Sequence, residues 1–251
     1  MIKIIHPDFE LLEGDLLCAI GRFDDDDAGV VVYKARNTIK VFDIFHRAVN
    51  IKRYRRPALF NRFVYTFIRK PKALRAYINS CRLLSRGFPT PRPIACIVRK
   101  RRGLIDLSYY ISEQQSFSRN MYEFGSGGLV GREEIVRAFT RFTAALHEAG
   151  ITHLDYSPGN ILFEIIDGSP AFCLVDTNRM SIRSGAVGIR SGCANFARLW
   201  GQDEMFEFIA REYAEARCAD VNDCRRWVFR YRRAFWNRYA KKHKVPFRLE
   251  S

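Results

Sequence analysis

The chain has 251 residues, 47% hydrophobic and 27% charged. That balance excludes wholesale disorder, and the length excludes a small disulfide-stapled scaffold. Lysine and arginine number 42 against 27 acids, a formal net charge of +15, so the expected partner is anionic: phosphate, nucleic acid or an acidic membrane surface. No stretch free of Asp, Glu, Lys and Arg exceeds eight residues, too short for a membrane-spanning helix.

The N-terminus has no basic segment followed by an apolar one, so no secretory signal is expected. The seven cysteines form no C-x-x-C and read as small buried hydrophobes of a reducing compartment, without a zinc site. Four aspartates at 24–27 read as a solvated turn. Residues 29–34, 38–45 and 49–54 are β-branched or alternating and are joined by short polar breaks, which predicts an antiparallel meander. Residues 72–86 carry apolar positions at helical spacing, with Ser80/Cys81 on that face, and end at Gly87 before Pro89 and Pro91. Strands follow at 94–98 and 104–111. The pattern turns helical after about Ser116, with an amphipathic helix over 132–149 closed by Gly150. The tail, 223–244, is a basic, aromatic helix. The fold class is therefore α+β in two lobes: a sheet-rich N-terminal lobe with one helix over 1–113, and a mainly helical lobe over 114–251.

Residues 46–102 contain 17 Lys or Arg and no acid, which favours an anionic surface as partner. The tail helix holds Trp227, Phe229, Tyr231, Phe235, Trp236 and Tyr239 among ten basic residues between 225 and 248. One face is expected to pack on the helical lobe, the other to meet lipid headgroups.

His153, Asp155 and Asn160 form an H-x-D-x-x-x-x-N pattern directly after the long helix, and Asp176 closes an apolar strand at 171–175. Asp and Asn also cap helices and turns. This spacing suits phosphoryl transfer: Asp155 to accept the proton of an acceptor hydroxyl, Asn160 and Asp176 to offer hard oxygens to Mg²⁺ or Mn²⁺.

The catalytic loop, with Tyr33-Lys34-Ala35-Arg36-Asn37, Ile39-Lys40-Val41-Phe42, Asn50-Ile51-Lys52-Arg53-Tyr54, Arg69-Lys70-Pro71-Lys72-Ala73, Gly87-Phe88-Pro89-Thr90-Pro91 and Val175-Asp176-Thr177-Asn178-Arg179, resembles the lipopolysaccharide core kinases (Kdo and heptose kinases), particularly the form found in Bacteroidetes-type bacteria. The resemblance spans about residues 28–215 and implies a two-lobed, protein-kinase-like fold and an ATP- and divalent-metal-dependent transferase. Its acceptor would be a Kdo or heptose hydroxyl of a lipopolysaccharide core or lipid A precursor, and its place the cytoplasm, on the inner face of the cytoplasmic membrane. By the same resemblance Lys52 contacts the α- and β-phosphates, with Lys40 as competing candidate. Asp155 is the base, Asn160 and Asp176 are metal ligands, and His153 organises the loop. Backbone groups around Glu113 meet the adenine.

Three features depart from the family pattern. The first turn has Ala35-Arg36-Asn37 in place of a glycine triplet, so phosphate cover falls to side chains such as Arg36, which reads equally as a surface residue; the same holds for Arg179. No acid lies between Ile44 and Ile105, so Lys52 has no helix glutamate and needs another acid, Asp176 being the natural one. Asp176 is followed by Thr-Asn-Arg, with no long activation segment. A Ser/Thr protein or small-molecule kinase of the same fold, or a pseudokinase scaffold that binds nucleotide or membrane, are the alternative readings. Nucleic acid is not expected as a partner, because no nucleic-acid module is visible.

Overall fold

The computed structural model describes residues 1–245 and 247; Arg248, counted above in the basic tail, lies outside the described residues. The chain divides into two compact units, Met1–Ser116 with Asp176–Asn178, and Phe117–Val175 with Arg179–Ser251.

The first unit is built on a six-stranded antiparallel sheet of order β1-β5-β6-β4-β3-β2. In chain order its elements are β1 (Ile2–Ile5), α1 (Glu13–Gly21), β2 (Val30–Lys34), β3 (Thr38–Ile44), β4 (Arg47–Tyr54), α2 (Leu59–Phe67), α3 (Lys72–Leu84), β5 (Pro93–Arg101) and β6 (Leu104–Glu113). β2, β3 and β4 form the expected meander, with Ile39 opposite Lys52 and Val41 opposite Asn50. β5 is buried continuously from Pro93 to Val98 because both of its faces are covered. Ile94, Ala95 and Ile97 join Phe9, Leu16, Ile20 and Phe23 in one core, whereas Cys96 and Val98 join Ala73 and Tyr77 of α3 in the other.

The unit carries three α-helices where one was expected, plus the additional strand β1. β1 is four residues long, too short for a periodicity to declare itself. α1 is nine residues whose burial is decided by the sheet beneath it, and α2 escapes detection because, Tyr65 apart, its large apolar residues do not face a core. The aspartates at 24–27 do form a turn, tied down by Arg22 to Asp25 (3.3 Å) and Asp27 (2.9 Å) and by Arg53 to Asp24 (2.6 Å).

The second unit holds β7 (Arg119–Asn120), α4 (Glu133–Glu148), β8 (Ile151–His153), β9 (Ile161–Ile166), β10 (Ser169–Leu174), β11 (Met180–Ile182), α5 (Ile189–Asn195), α6 (Asp203–Ala216) and α7 (Val221–Ala240). α4 buries Val136, Phe139, Thr140, Thr143, Ala144, Leu146 and His147. Its two buried threonines donate to carbonyls one turn back, Val136 at 2.7 Å and Phe139 at 2.9 Å. β9 and β10 form a hairpin turned by Asp167-Gly168, both at positive φ (50° and 77°), as a two-residue primed turn requires. β8 pairs with β11.

α7 buries Cys224, Val228, Arg232 and Trp236. Its remaining aromatics are half-buried, and Trp227 is covered by Arg190, Arg226 and Arg230 within 5.4 Å of its ring. The stripe therefore packs on the helical unit, and its rings form no exposed apolar face. The cysteines also divide: Cys96, Cys173, Cys193 and Cys224 are buried, Cys81 is half-buried, and Cys18 and Cys218 are exposed, so the expectation of seven buried thiols holds for four.

Gly150 ends α4 at φ +72°, where a Cβ would lie 2.6 Å from the Arg183 carbonyl oxygen and also overlap that of Gly185. Gly150→Ala should destabilise the protein by about 2 kcal/mol through backbone strain. That is a fall of roughly 5 °C in melting temperature for a chain of this size, measurable by thermal unfolding; an unchanged melting temperature would show that β11 and the following loop yield freely.

Candidate active site

In the second unit, residues 153–160 form a loop pinned at several points. The His153 ring accepts the Asp155 N–H at Nδ1 (3.1 Å), which places the ring proton on Nε2, where it is donated to the Val175 carbonyl (3.0 Å). Asn160 donates its amide to the Asp155 carbonyl (2.8 Å) and its backbone N–H to Ser157 (2.9 Å), while its own carbonyl receives Val175 N–H (3.0 Å). With its NH₂ committed, Asn160 has its side-chain oxygen as the end a cation can use. The Asp155 carboxylate is 25% exposed and faces two guanidinium groups, Arg198 at 3.1 Å on Oδ1 and Arg179 at 3.3 Å on Oδ2. Arg198 is in turn stacked over Phe235 of α7 (4.9 Å).

Behind the loop lies a buried relay. Tyr213 Oη is 2.8 Å from His147 Nδ1, His147 Nε2 is 3.0 Å from Asn195 Oδ1, and Asn195 donates to the His153 carbonyl (2.9 Å). The Asn195 amide nitrogen is committed to that carbonyl, so His147 donates from Nε2 and accepts from Tyr213 at Nδ1, a neutral imidazole. Burial pulls the His147 pKa down to about 4, against a smaller upward pull from the Asn195 hydrogen bond. Gly192 leaves the space this relay needs: a Cβ there would overlap the Tyr213 hydroxyl and lie 2.9 Å from His147 Nδ1.

In the first unit, Lys52 Nζ meets Asp176 Oδ1 at 2.7 Å, the two side chains being 13% and 28% exposed. Asn178 donates to the same oxygen at 2.5 Å. Asp176 has φ +56°, a strained conformation that Asp tolerates better than most residues and that functional positions often hold. The neighbouring residue is gripped by α3: Asn79 donates to the Thr177 carbonyl (2.7 Å), Ser80 pairs with the Thr177 hydroxyl (2.9 Å), and Thr177 reaches the Ala76 carbonyl (3.1 Å). Tyr110 of β6 supports Ser80 at 2.9 Å. The helix without an acid thus steadies the segment that carries the acid.

The other sequence candidates lie elsewhere in the first unit. Lys40 is buried, and its Nζ donates to the carbonyls of Asp25 (2.7 Å) and Ala28 (3.0 Å). This is structural work on the 25–28 turn, and it leaves Lys52 as the lysine paired to a carboxylate of the site. Arg36 is exposed in the β2–β3 turn and, with Arg55, Arg56 and Lys72, lines a cavity of ≈ 350 Å³. The backbone N–H groups of Glu113 and Gln114 are taken by the carbonyls of Arg92 (2.9 Å) and Ala48 (2.8 Å), so neither amide is available to a base; the Glu113 carboxylate meets Arg47 at 3.3 Å.

Sequence reasoning missed Asn79, Ser80, Arg198, His147 and Asn195. Ser80 stood on the apolar face of its helix, the one signal that a buried polar partner had to exist. Nothing in the spacing of Arg198 announces that it meets Asp155. Beside Asp155 lies a groove of ≈ 670 Å³ lined by Leu154, Arg183, Arg198, Tyr231, Phe235 and Arg238. Among the described residues no group of three or more His, Cys, Asp or Glu could hold a metal. Asn160 and Asp176 each offer a hard oxygen of the kind Mg²⁺ takes when phosphates complete its shell, so the donor chemistry fits.

A strand lysine paired to an aspartate, and an aspartate and asparagine on a loop after a long helix, define a phosphotransferase of the protein-kinase-like class. The profile of the lipopolysaccharide kinase (Kdo/WaaP) family matches residues 35–216, and the chain belongs to that family. A solved structure of WaaP in complex with acyl carrier protein matches with TM-score 0.63 at 16% identity, covering 96% of this chain and 99% of that one; this likeness speaks for the fold. No curated protein matches the sequence.

The lowered His147 pKa ties stability to pH. In the unfolded chain the group titrates near 6.5 and in the folded chain near 4, so its contribution is complete above pH 6.5 and is lost as pH falls toward 4, about 3 kcal/mol in all. Melting temperature should fall more steeply from pH 7 to 4.5 in the parent than in His147→Gln. Equal slopes would remove His147 as a source of acid sensitivity.

Proposed function

We propose that this chain transfers the γ-phosphate of ATP to a hydroxyl of a Kdo or heptose residue in a lipopolysaccharide core intermediate, with a divalent cation. The observation that carries an active kinase over a nucleotide-binding scaffold is the 2.7 Å pair of Lys52 with Asp176. It supplies from another segment the acid that the sequence between Ile44 and Ile105 lacks. Lys52, held extended by that pair, would contact the α- and β-phosphates. Asn160 and Asp176 would hold Mg²⁺ or Mn²⁺, whose chemical contribution when bound is to offset the phosphate charge. Asp155 takes the proton of the acceptor hydroxyl. Because both its oxygens face arginines, the hydroxyl must compete with Arg179 or Arg198 on approach.

The groove beside Asp155 fits an anionic saccharide. Arg183, Arg198 and Arg238 suit carboxylate or phosphate groups, and Tyr231 and Phe235 offer flat apolar surface to a sugar face. An acceptor of this kind is carried on a lipid, which puts the reaction at a membrane surface. The solved WaaP was bound to acyl carrier protein, and a carrier protein is a second kind of partner to test for this chain.

With γ-labelled ATP and Mg²⁺, label should enter the glycolipid fraction of a Gram-negative envelope extract. Asp155→Asn should reduce this transfer by about 10²–10⁴-fold at an unchanged melting temperature. Label in protein rather than glycolipid would move the acceptor class, and full transfer by Asp155→Asn would overturn the assignment of the base. Lys52→Met should lose transfer by a similar factor; retained transfer would show that the Lys52–Asp176 pair is dispensable.

A further inference from the structure

α2 is amphipathic the wrong way round for a helix on a sheet. Its polar side faces inward: Arg62 Nε donates to the Ile105 carbonyl (2.7 Å), Thr66 Oγ1 accepts the Ile105 N–H (3.0 Å), and Arg62 reaches Asp106 at 3.6 Å. Its apolar side faces out. Leu59, Phe60, Phe63, Phe67 and the following Ile68 are between 51% and 77% exposed. At about 100° per residue these five positions fall within one half of the helix circumference, and the Phe63 and Phe67 rings lie 4.8 Å apart. A contiguous apolar face of this size is uncommon on a soluble surface and marks an interaction site.

The charge around this face is of one sign. Arg55 and Arg56 precede the helix, Arg69 and Lys70 follow it, and all four are exposed. Arg62 also donates to the Arg101 carbonyl (3.4 Å), which brings the Lys100-Arg101-Arg102 turn alongside. The first acid after residue 46 is Asp106, and it is already paired with Arg56 and Arg62. With more than half of each apolar residue of the face exposed, these groups project into solvent, a presentation that suits insertion.

We infer that α2 is a membrane-docking helix. It lies in the plane of an anionic bilayer, its phenylalanines in the boundary between headgroups and acyl chains and its basic rim on the lipid phosphates. This role differs from the lipid contact expected of the C-terminal helix, whose aromatics are packed inward. It rests on the proposed function only for its purpose, which is to bring the kinase to a lipid-borne acceptor.

The test is sedimentation of the full chain with vesicles of phosphatidylcholine alone or mixed with phosphatidylglycerol, without ATP or acceptor. Binding should be confined to the mixed vesicles and weaken with salt. Phe60→Ser/Phe63→Ser should weaken it by about tenfold or more, and Arg69→Ser/Lys70→Ser by roughly fivefold for each charge removed, both with unchanged melting curves. In Phe60→Trp the added fluorescence should shift to the blue on binding and be quenched by lipids brominated on the acyl chain. Failure of the parent to sediment, sedimentation of Phe60→Ser/Phe63→Ser equal to the parent, or fluorescence of the Phe60→Trp variant that brominated lipid leaves unquenched would each overturn the inference. So would binding of purified acyl carrier protein that these variants abolish while vesicles are ignored, since the face would then dock protein. Because no phosphate transfer is read, failure here leaves the kinase reading standing, and failure of labelled transfer leaves this one standing.

Discussion

The ion pair of Lys52 and Asp176 joins residues 124 positions apart, and much of the first unit's design follows from the need for it. A lysine on a central strand has to be aimed, and a misplacement of about 1 Å can cost ~10²-fold in rate. The usual solution within the protein-kinase-like class is a glutamate on the adjacent helix. Here that helix, α3, presents Ala76, Asn79 and Ser80 to Thr177, and the carboxylate arrives with the segment that α3 holds. Asp176 then receives both the lysine and the Asn178 amide on one carboxylate oxygen. Its strained backbone at φ +56° is tolerated because hydrogen bonds to the next two residues leave the segment little freedom.

The second unit solves a parallel problem with neutral groups. Asp155 is positioned through its backbone: His153 receives its N–H and Asn160 holds its carbonyl. His153 is itself held by Asn195, His147 and Tyr213 in a chain of buried hydrogen bonds. Such a relay is stable only while every member is satisfied, since an unpaired buried polar group costs more than a bond gains. That condition explains a neutral histidine with a lowered pKa and a glycine at 192, where any side chain would displace the tyrosine. The positive charge is reserved for the surface of the site, where Arg179 and Arg198 flank the carboxylate and further arginines line the groove beside it.

The meander of β2, β3 and β4, the α3 and α4 helices and the α7 stripe were legible because each carries its own period: alternation in the strands, three-and-four spacing in the helices. The catalytic loop was legible because its residues lie within eight positions of one another. β1 and α1 were not, being too short to show a period. α2 was not, because its period is real but points away from any core. Lys40 and Lys52 both stand in strands, and the third-strand position favours Lys52; their partners separate them, since Lys40 donates to two carbonyls of a turn and Lys52 meets a carboxylate.

The sequence by itself determined the class of chemistry, the spacing of His153, Asp155 and Asn160, the excess of positive charge and the absence of an acid between Ile44 and Ile105. These are properties of residue type and local spacing, which survive without any knowledge of packing. Only the tertiary structure decided which acid meets Lys52, which arginines face Asp155, that Ser80 and Asn79 grip Thr177, and that the phenylalanines of α2 face solvent. Each of those joins residues far apart in the chain or depends on which side of a helix the sheet covers, and neither is written in local periodicity.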